Sequence, residues 1–147
     1  MSNVSILEKK ILLKELVDKI AILGDIKDFD SQVLLFSQNA IIETVVEGKS
    51  ILKLLGRKEI VEAFKEFHQD IESAYHFNGP HTIILNENSA SGTLYCLITL
   101  ISYENSKWIK TSIGAIYEDE YTYEKNQWNI SKRITHFKWR DKKELTF

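Results

Sequence analysis

The second half of the chain reads as a succession of β-strands, and this limits the possible folds more than any other feature. From His81 to Trp139, runs rich in β-branched and aromatic residues are separated by three short polar segments, "NENSASG", "ENSK" and "EKNQ". Connections of a few residues can join antiparallel strands, whereas parallel strands need a long crossover. The sequence therefore predicts several long antiparallel strands after residue 75.

The first half predicts three helices and one strand. Apolar residues recur every three or four positions over residues 5–23, and Gly24 is a typical residue just beyond a helix C-terminus. Similar spacing predicts a shorter helix after Gly24, in which Phe29, Val33 and Phe36 share a face, and a third helix in "GRKEIVEAFKEFHQDIESA". Residues 40–48 are rich in β-branched side chains and predict a strand.

This order predicts one α+β domain over residues 1–147, in which a curved antiparallel sheet wraps around about three N-terminal helices. A sheet and helix pack of this kind encloses a cone, and the open end of the cone is a natural pocket for a small molecule. Outward-facing apolar residues of the sheet, such as Ile116, Phe137 and Trp139, predict a homodimer or homotrimer packed through the sheet.

Composition excludes several classes of partner. A formal net charge of −2 with dispersed Lys and Arg gives no nucleic-acid footprint, and we interpret the basic segment "SKRITHFKWRDKK" as a solvated strand edge. No apolar run approaches the ~18 residues of a membrane span, and the N-terminus lacks the apolar region of a signal peptide. The single cysteine, Cys96, excludes an internal disulfide. We expect a cytoplasmic protein without nucleic-acid or membrane partners.

The segment "SAYHFNGPHTI", residues 73–83, places two of the four histidines, His76 and His81, at the predicted helix-to-strand joint. Three interpretations are open: a metal site, half of an acid–base pair, or ordinary loop residues. No HxH or HExxH pattern occurs and no third ligand has usable spacing, so we expect no metal. The GxGxxG, Walker and GxSxG patterns are also absent, so we expect neither a phosphate loop nor a nucleophilic serine, and no cofactor.

Two aspartates are candidates for chemistry. Asp25 follows Gly24 at the predicted end of the first helix, where it is either the N-cap of the next helix or a carboxylate that faces the cavity. In the strand "SIGAIYEDEYTYE", alternation places Tyr117 and Asp119 on one face and Glu118 and Glu120 on the other. The second face is more acidic, so Asp119 should point inward, as a structural hydrogen-bonding group or as a pocket residue.

Four segments, taken in order, resemble the SnoaL-like branch of the nuclear transport factor 2 superfamily, from about Ile6 to Trp139. They are "LGDIKDFDSQVLLFSQNAII", "GRKEIVEAF", "YHFNGPHTIIL" and "GAIYEDEYTYEKNQWNI". The resemblance implies a cone-shaped α+β barrel. The branch includes scytalone dehydratase, polyketide cyclases and a hexachlorocyclohexane dehydrochlorinase. In its lyases an aspartate after the first helix pairs with a histidine at the helix-to-strand joint, which implies that His76 is a general base oriented by Asp25, with His81 at the rim.

The chain departs from the scytalone dehydratase pattern at several positions. Gly24 stands in place of a tyrosine and Leu100 in place of a second histidine, while Tyr117 and Asp119 replace a serine and an asparagine. We therefore do not expect the substrate of that enzyme. The resemblance implies that substrate contacts come from four positions: Tyr117, Asp119, His81 and Leu100.

Three functions remain open at this point. The first is a cofactor-independent lyase or isomerase, dehydratase-like or cyclase-like, that acts on a small hydrophobic substrate, cyclic compounds included, through Asp25 and His76. The second is a small-molecule-binding protein that keeps these residues without turnover, because a fold does not determine a function. The third is a structural subunit that resembles the β-subunits of ring-hydroxylating dioxygenases.

Overall fold

The computed structural model describes residues 3–146, which form three α-helices, one 3₁₀ turn and six β-strands. The elements, in chain order, are α1 (Asn3–Asp25), α2 (Phe29–Gln32), the 3₁₀ turn (Val33–Leu35), β1 (Phe36–Val46), β2 (Lys49–Leu55), α3 (Gly56–Phe67), β3 (Ile71–Leu85), β4 (Ser89–Glu104), β5 (Lys107–Glu124) and β6 (Gln127–Glu144).

The six strands form one curved sheet in the order β2-β1-β6-β5-β4-β3. The α+β class and the sheet curved over helices are confirmed. Two details differ from the expectation. β1 pairs with β6 in parallel, so the sheet is mixed rather than purely antiparallel. In addition, β2 and β3 are free edges, so the cone is an open sheet and not a closed barrel.

The hydrophobic core lies between the helices and the inner face of the sheet. Leu13 and Val17 of α1 and Ile60 of α3 are almost fully buried there, against sheet residues such as Leu94 and Ile130. Burial of each such side chain stabilises the fold by about 1.5–3 kcal/mol. This apolar layer forms the inner wall on which the polar groups described below are placed.

Strand pairing overrides the helical spacing at two places. The predicted second helix is only four residues long, and Phe36 begins β1. The third helix ends at Phe67, whereas Ile71, predicted on its apolar stripe, begins β3 and pairs with β4. His76 and His81 consequently lie inside a 15-residue strand and not at a joint. The β3–β4 register skips between Asn78 and His81, so the glycine and proline of this segment form a bulge in an edge strand, where proline is tolerated.

Three tight hairpins set the strand register, and one of them produces a strand that was not predicted. Glu47 and Gly48, at the turn before β2, both have positive φ, as do Asn105–Ser106 and Lys125–Asn126 at the next two hairpins. Positive φ at both central residues is the signature of type I′ turns, whose twist matches that of the flanking strands. The β1–β2 turn therefore folds Lys49–Leu55 back onto β1.

We predict that Gly92→Ala destabilises the fold. A Cβ at Gly92 would lie 3.0 Å from the Thr82 carbonyl oxygen and 3.0 Å from the ring and hydroxyl of Tyr121, which is buried. The resulting strain should lower the free energy of unfolding by about 1–3 kcal/mol in denaturant titrations. Gly79→Ala is the control, because the nearest atom to its Cβ would be 3.6 Å away. Equal losses for both variants would contradict this account.

Candidate active site

The structure brings Asp25 and His76 into direct contact. Asp25 Oδ1 lies 2.6 Å from His76 Nδ1, and Asp25 Oδ2 accepts a hydrogen bond of 3.0 Å from the backbone N–H of His76. One carboxylate thus holds both the ring and the backbone of the same residue. With Nδ1 donating to Asp25, a neutral His76 carries its free lone pair on Nε2, which is the form a general base requires.

Asp25 is the last residue of α1 and is not the N-cap of α2. The helix continues through Asp25, and the chain turns afterwards at Lys27, which has φ 60°. Asp28 is the N-cap of α2, since its side chain accepts a 3.2 Å hydrogen bond from the Ser31 N–H. The N-cap interpretation of Asp25 is therefore wrong, as is the expected helix stop at Gly24. The Asp25 carboxylate is directed at β3 instead.

A second polar cluster is centred on Asp119. Asp119 Oδ1 accepts from Arg133 Nε at 2.8 Å, and Oδ2 accepts from Arg133 Nη2 at 2.9 Å and from the Tyr121 hydroxyl at 2.8 Å. Tyr121 Oη also lies 3.0 Å from His81 Nε2. Because Tyr121 gives its only proton to Asp119, His81 Nε2 must donate to Tyr121. In neutral His81 the lone pair is then on Nδ1, a buried atom with no partner among the described residues.

Burial determines the protonation states of this cluster. It raises the pKa of Tyr121 above the usual range, and the charge of Asp119 adds to the effect, so the phenol stays a neutral donor. Burial alone would lower the pKa of Arg133, but the charge and hydrogen bonds of Asp119 raise it, and the guanidinium remains a cation. Its Cζ lies 4.0 Å above the centre of the Tyr117 ring, whose pKa burial also raises.

The two clusters occupy the same inner face of the sheet. His76 is paired with the buried Ile98 across β3 and β4, and Tyr117 and Asp119 are buried while Glu118 and Glu120 are exposed, as alternation predicted. Paired strand residues lie on the same face, so both clusters belong to the inner face, with His76 in register with Ile113, nearer the start of β5 than Asp119.

Two further inward residues complete this wall. Burial raises the pKa of the Cys96 thiol to about 11, so Cys96 is not a thiolate nucleophile. The charge of Arg133 lowers this pKa and the charge of Asp25 raises it. Leu100 is buried opposite Ala74 on the apolar part of the wall.

Arg133 was missed by the sequence reasoning, which assigned its segment to a solvated strand edge. That interpretation is wrong for Arg133, which is 7% exposed. The "EKNQ" hairpin is the signal that points to its neighbourhood, because it aligns β5 with β6 and brings a basic residue opposite Asp119. Within residues 3–146, no group of three or more His, Cys, Asp or Glu side chains is arranged to hold a metal ion.

Comparison with known proteins identifies the family. The profile of the SnoaL-like domain matches residues 7–134. The chain belongs to the SnoaL-like family. No curated protein sequence matches the chain. None of the helices in the described part of this SnoaL-like protein is long and apolar enough to span a membrane.

Solved structures are similar to this SnoaL-like chain over almost its whole length. A candidate scytalone dehydratase from Novosphingobium aromaticivorans has a TM-score of 0.85 at 12% identity, with coverage of 99% of this chain and 94% of that one. Hexachlorocyclohexane dehydrochlorinase LinA-type3 from Novosphingobium barchaimii gives 0.79 at 18% identity, with 99% and 95% covered. An NTF2-like protein with a cystatin-like fold, also from N. aromaticivorans, gives 0.76 at 16%, with 92% and 85% covered. The TM-scores establish a shared fold, and at identities this low they establish the fold alone.

We predict that two histidines make the stability of the protein fall in mild acid. Burial lowers the pKa of both His68 and His81 below 6.5, so the unfolded chain binds more protons than the folded chain as the pH falls. The two neutral histidines make their full contribution to the free energy of unfolding above pH 6.5, and this contribution is lost as the pH falls through their pKa values in the folded protein. Denaturant titrations from pH 8 to pH 5 should show this loss.

The variants His68→Phe and His81→Phe should each flatten the slope of stability against pH below pH 6.5. Their stabilities at pH 8 serve as the reference, because a packing defect shifts the curve at every pH whereas a lost titration changes its slope. An unchanged slope in both variants would contradict the assignment.

Proposed function

We propose that this protein is a cofactor-independent lyase or isomerase in which His76 is the general base and Asp25 its orienting partner. The 2.6 Å contact between Asp25 Oδ1 and His76 Nδ1 carries the proposal. It fixes the tautomer with a free lone pair on Nε2 and would stabilise the imidazolium that forms after proton transfer. Nε2 takes a proton from a substrate carbon, and the C–H electron pair forms a double bond.

In an elimination, the bonding pair of the neighbouring carbon departs with the leaving group. In an isomerisation, the π pair of an adjacent carbonyl moves onto its oxygen, and the protonated His76 then returns the proton to a different carbon of the resulting enolate. Either route develops negative charge that the interior must stabilise. Arg133 suits this task, because its side-on contact with Asp119 uses Nε and Nη2 and leaves Nη1 directed away from the carboxylate. Both Asp119 oxygens are already bonded, so we assign Asp119 the role of holding Arg133.

Substrate contact is assigned to the other inward residues. The Tyr117 ring lies beneath the guanidinium, Leu100 contributes to the apolar wall, and the His81 Nδ1 lone pair accepts from a substrate hydroxyl. These groups favour a small, largely hydrophobic substrate with one polar function. The names of the similar structures support an elimination, since a dehydratase removes water and a dehydrochlorinase removes hydrogen chloride. A single buried thiol suits the reducing cytoplasm, where we propose that the protein acts.

A binding protein without turnover is the second candidate, and the outer face of the sheet favours it. A groove of about 390 Å³ lies there between the β3 bulge and Trp139, lined by apolar side chains such as Phe77, Tyr95 and Ile116. This groove is on the face opposite His76, so a ligand bound there would not meet the base. Loss of ligand binding through outer-face substitutions, with no effect of His76 substitutions, would support this candidate.

We predict that His76→Ala removes most turnover without unfolding the protein. A positioned general base contributes about 10²–10⁴-fold to rate, and His76 is part-buried and polar. Asp25→Asn should cause a loss within the same range, because the amide no longer fixes the tautomer. The assay follows elimination or solvent-deuterium exchange with small cyclic ketones, hydroxy-ketones and haloalkanes.

His136→Ala is the matched control for this assay, because His136 contacts Glu118 on the outer face. Ligand binding is followed in parallel by thermal shift. If compounds raise the melting temperature equally in wild type and His76→Ala and none turns over, the binding protein is the better account.

We also propose a homodimer or homotrimer packed through the outer face of the sheet. Phe77, Tyr95, Leu97 and Trp139 are each 45–61% exposed on adjoining strands there. Phe137, expected on the same face, instead packs against the core. Contiguous apolar surface of this kind is typical of a protein–protein interface.

We predict that light scattering at about 100 µM gives at least twice the monomer mass, because an interface of standard size holds well below that concentration. Leu97→Glu should shift the protein to the monomer. A substitution of the exposed Ile22 on α1, Ile22→Glu, is the control and should leave the mass unchanged. A monomeric wild type would contradict the proposal.

A further inference from the structure

The segment that follows Asp25 makes two contacts with the segment that leads from α3 into β3. The Lys27 ammonium donates to the Ile71 carbonyl oxygen. Two residues later, the Phe29 ring packs on the His68 ring, with 4.8 Å between ring centres. We call these two contacts the clasp. It joins residues 27–29, which follow Asp25, to residues 68–71, which lead into the strand that carries His76.

His68 is itself held rigidly. Its Nδ1 lies 2.9 Å from the Phe64 carbonyl oxygen, which also accepts a 3.1 Å hydrogen bond from the His68 backbone N–H. A carbonyl only accepts, so Nδ1 carries the proton in this contact. Phe67 also packs edge-on with the His68 ring, at 5.0 Å between ring centres. The ring is therefore a fixed platform at the C-terminal end of α3 on which Phe29 rests.

The charges around His68 connect it to the dyad. Burial lowers the pKa of His68 and outweighs the hydrogen bond to the Phe64 carbonyl, which raises it; among nearby charged groups, His76 and Lys27 lower it and Asp25 raises it. The three charged groups belong to the clasp or to the dyad. A proton added to His68 would place a second cation near the Lys27 ammonium of the clasp, and like charges repel.

We propose that neutral His68 is a positioning residue: through the clasp it keeps the Asp25 carboxylate aligned on His76. The proposal rests on the proposed role of His76 as a base. Asp25 is the last residue of α1, and helix ends fray unless tertiary contacts hold them. Without the clasp, the 2.6 Å contact should be populated for only part of the time.

The test is a proton NMR measurement on the ligand-free protein. The His76 Nδ1 proton, shared with a carboxylate at 2.6 Å, should resonate far downfield of the amide region and exchange slowly with water. Lys27→Met and His68→Ala should broaden or abolish this signal at pH 7. Circular dichroism at the same pH serves as the control that both variants are folded. His68→Phe retains a ring beneath Phe29 and should retain the signal at pH 7. Because a phenyl ring cannot be protonated, this variant should also keep the signal at mildly acidic pH values where the wild type loses it.

Lys65→Met is the matched control. Lys65 pairs with Asp30 at 2.8 Å and so links α3 to α2 as well, but on the exposed surface and away from the dyad. It should leave the signal unchanged. The proposal is overturned if Lys65→Met weakens the signal as much as Lys27→Met does, if His68→Ala leaves it intact, or if His68→Phe loses it like His68→Ala.

Failure of the clasp and failure of the proposed function are distinguishable, because the signal is read without substrate. A signal that depends on the clasp in a protein that turns over no compound supports the clasp and counts against the lyase or isomerase. Turnover that needs His76 but is equal in wild type, Lys27→Met and His68→Ala supports the lyase or isomerase and counts against the clasp.

Discussion

The interior of this protein is organised by one buried ion pair, Asp119 with Arg133. Their side chains are 0% and 9% exposed, so each charge depends on the other for its solvation. Two unpaired charges at this depth would cost several kcal/mol each, whereas the two-point contact with an added tyrosine hydroxyl satisfies the carboxylate. The pair joins β5 to β6, stacks the cation on Tyr117, and orders Tyr121 and His81 behind it. The polar groups of this part of the inner face have their geometry because of this contact.

In the proposed reaction, the dyad and the ion pair have different tasks. Asp25 would orient the base by holding one imidazole nitrogen, while Asp119 holds a cation and already accepts hydrogen bonds on both oxygens. Each carboxylate therefore acts by positioning its partner, His76 or Arg133. Neither carboxylate has an oxygen left without a hydrogen bond for the proposed reaction. A site with a base, a fixed cation and an apolar wall suits the removal of a proton from carbon, in which charge moves from one end of the substrate to the other.

How far the sequence predicts this site depends on which contacts are local. Alternation along β5 correctly placed Tyr117 and Asp119 inside, because side-chain period in a strand is a local property. Arg133 was out of reach because its position depends on a bulge. The β5–β6 hairpin pairs Glu124 with Gln127, a register that would set Lys132 opposite Asp119, and a shift at Glu120–Tyr121 replaces it with Arg133. The helical spacing around Ile71 likewise gave way to pairing with β4, which no local pattern reports.

A crystal structure of the protein with a small cyclic ketone or hydroxy-ketone bound would test the assignment of His76 as the base most directly. We expect the ligand on the inner face, with an acidic carbon within about 3–3.5 Å of His76 Nε2, as a reactive geometry requires. We also expect its oxygen on the side of Arg133 and Tyr117. A ligand that is ordered only in the outer groove between Phe77 and Trp139, with His76 Nε2 bonded to a protein group, would contradict the assignment of His76 as the base.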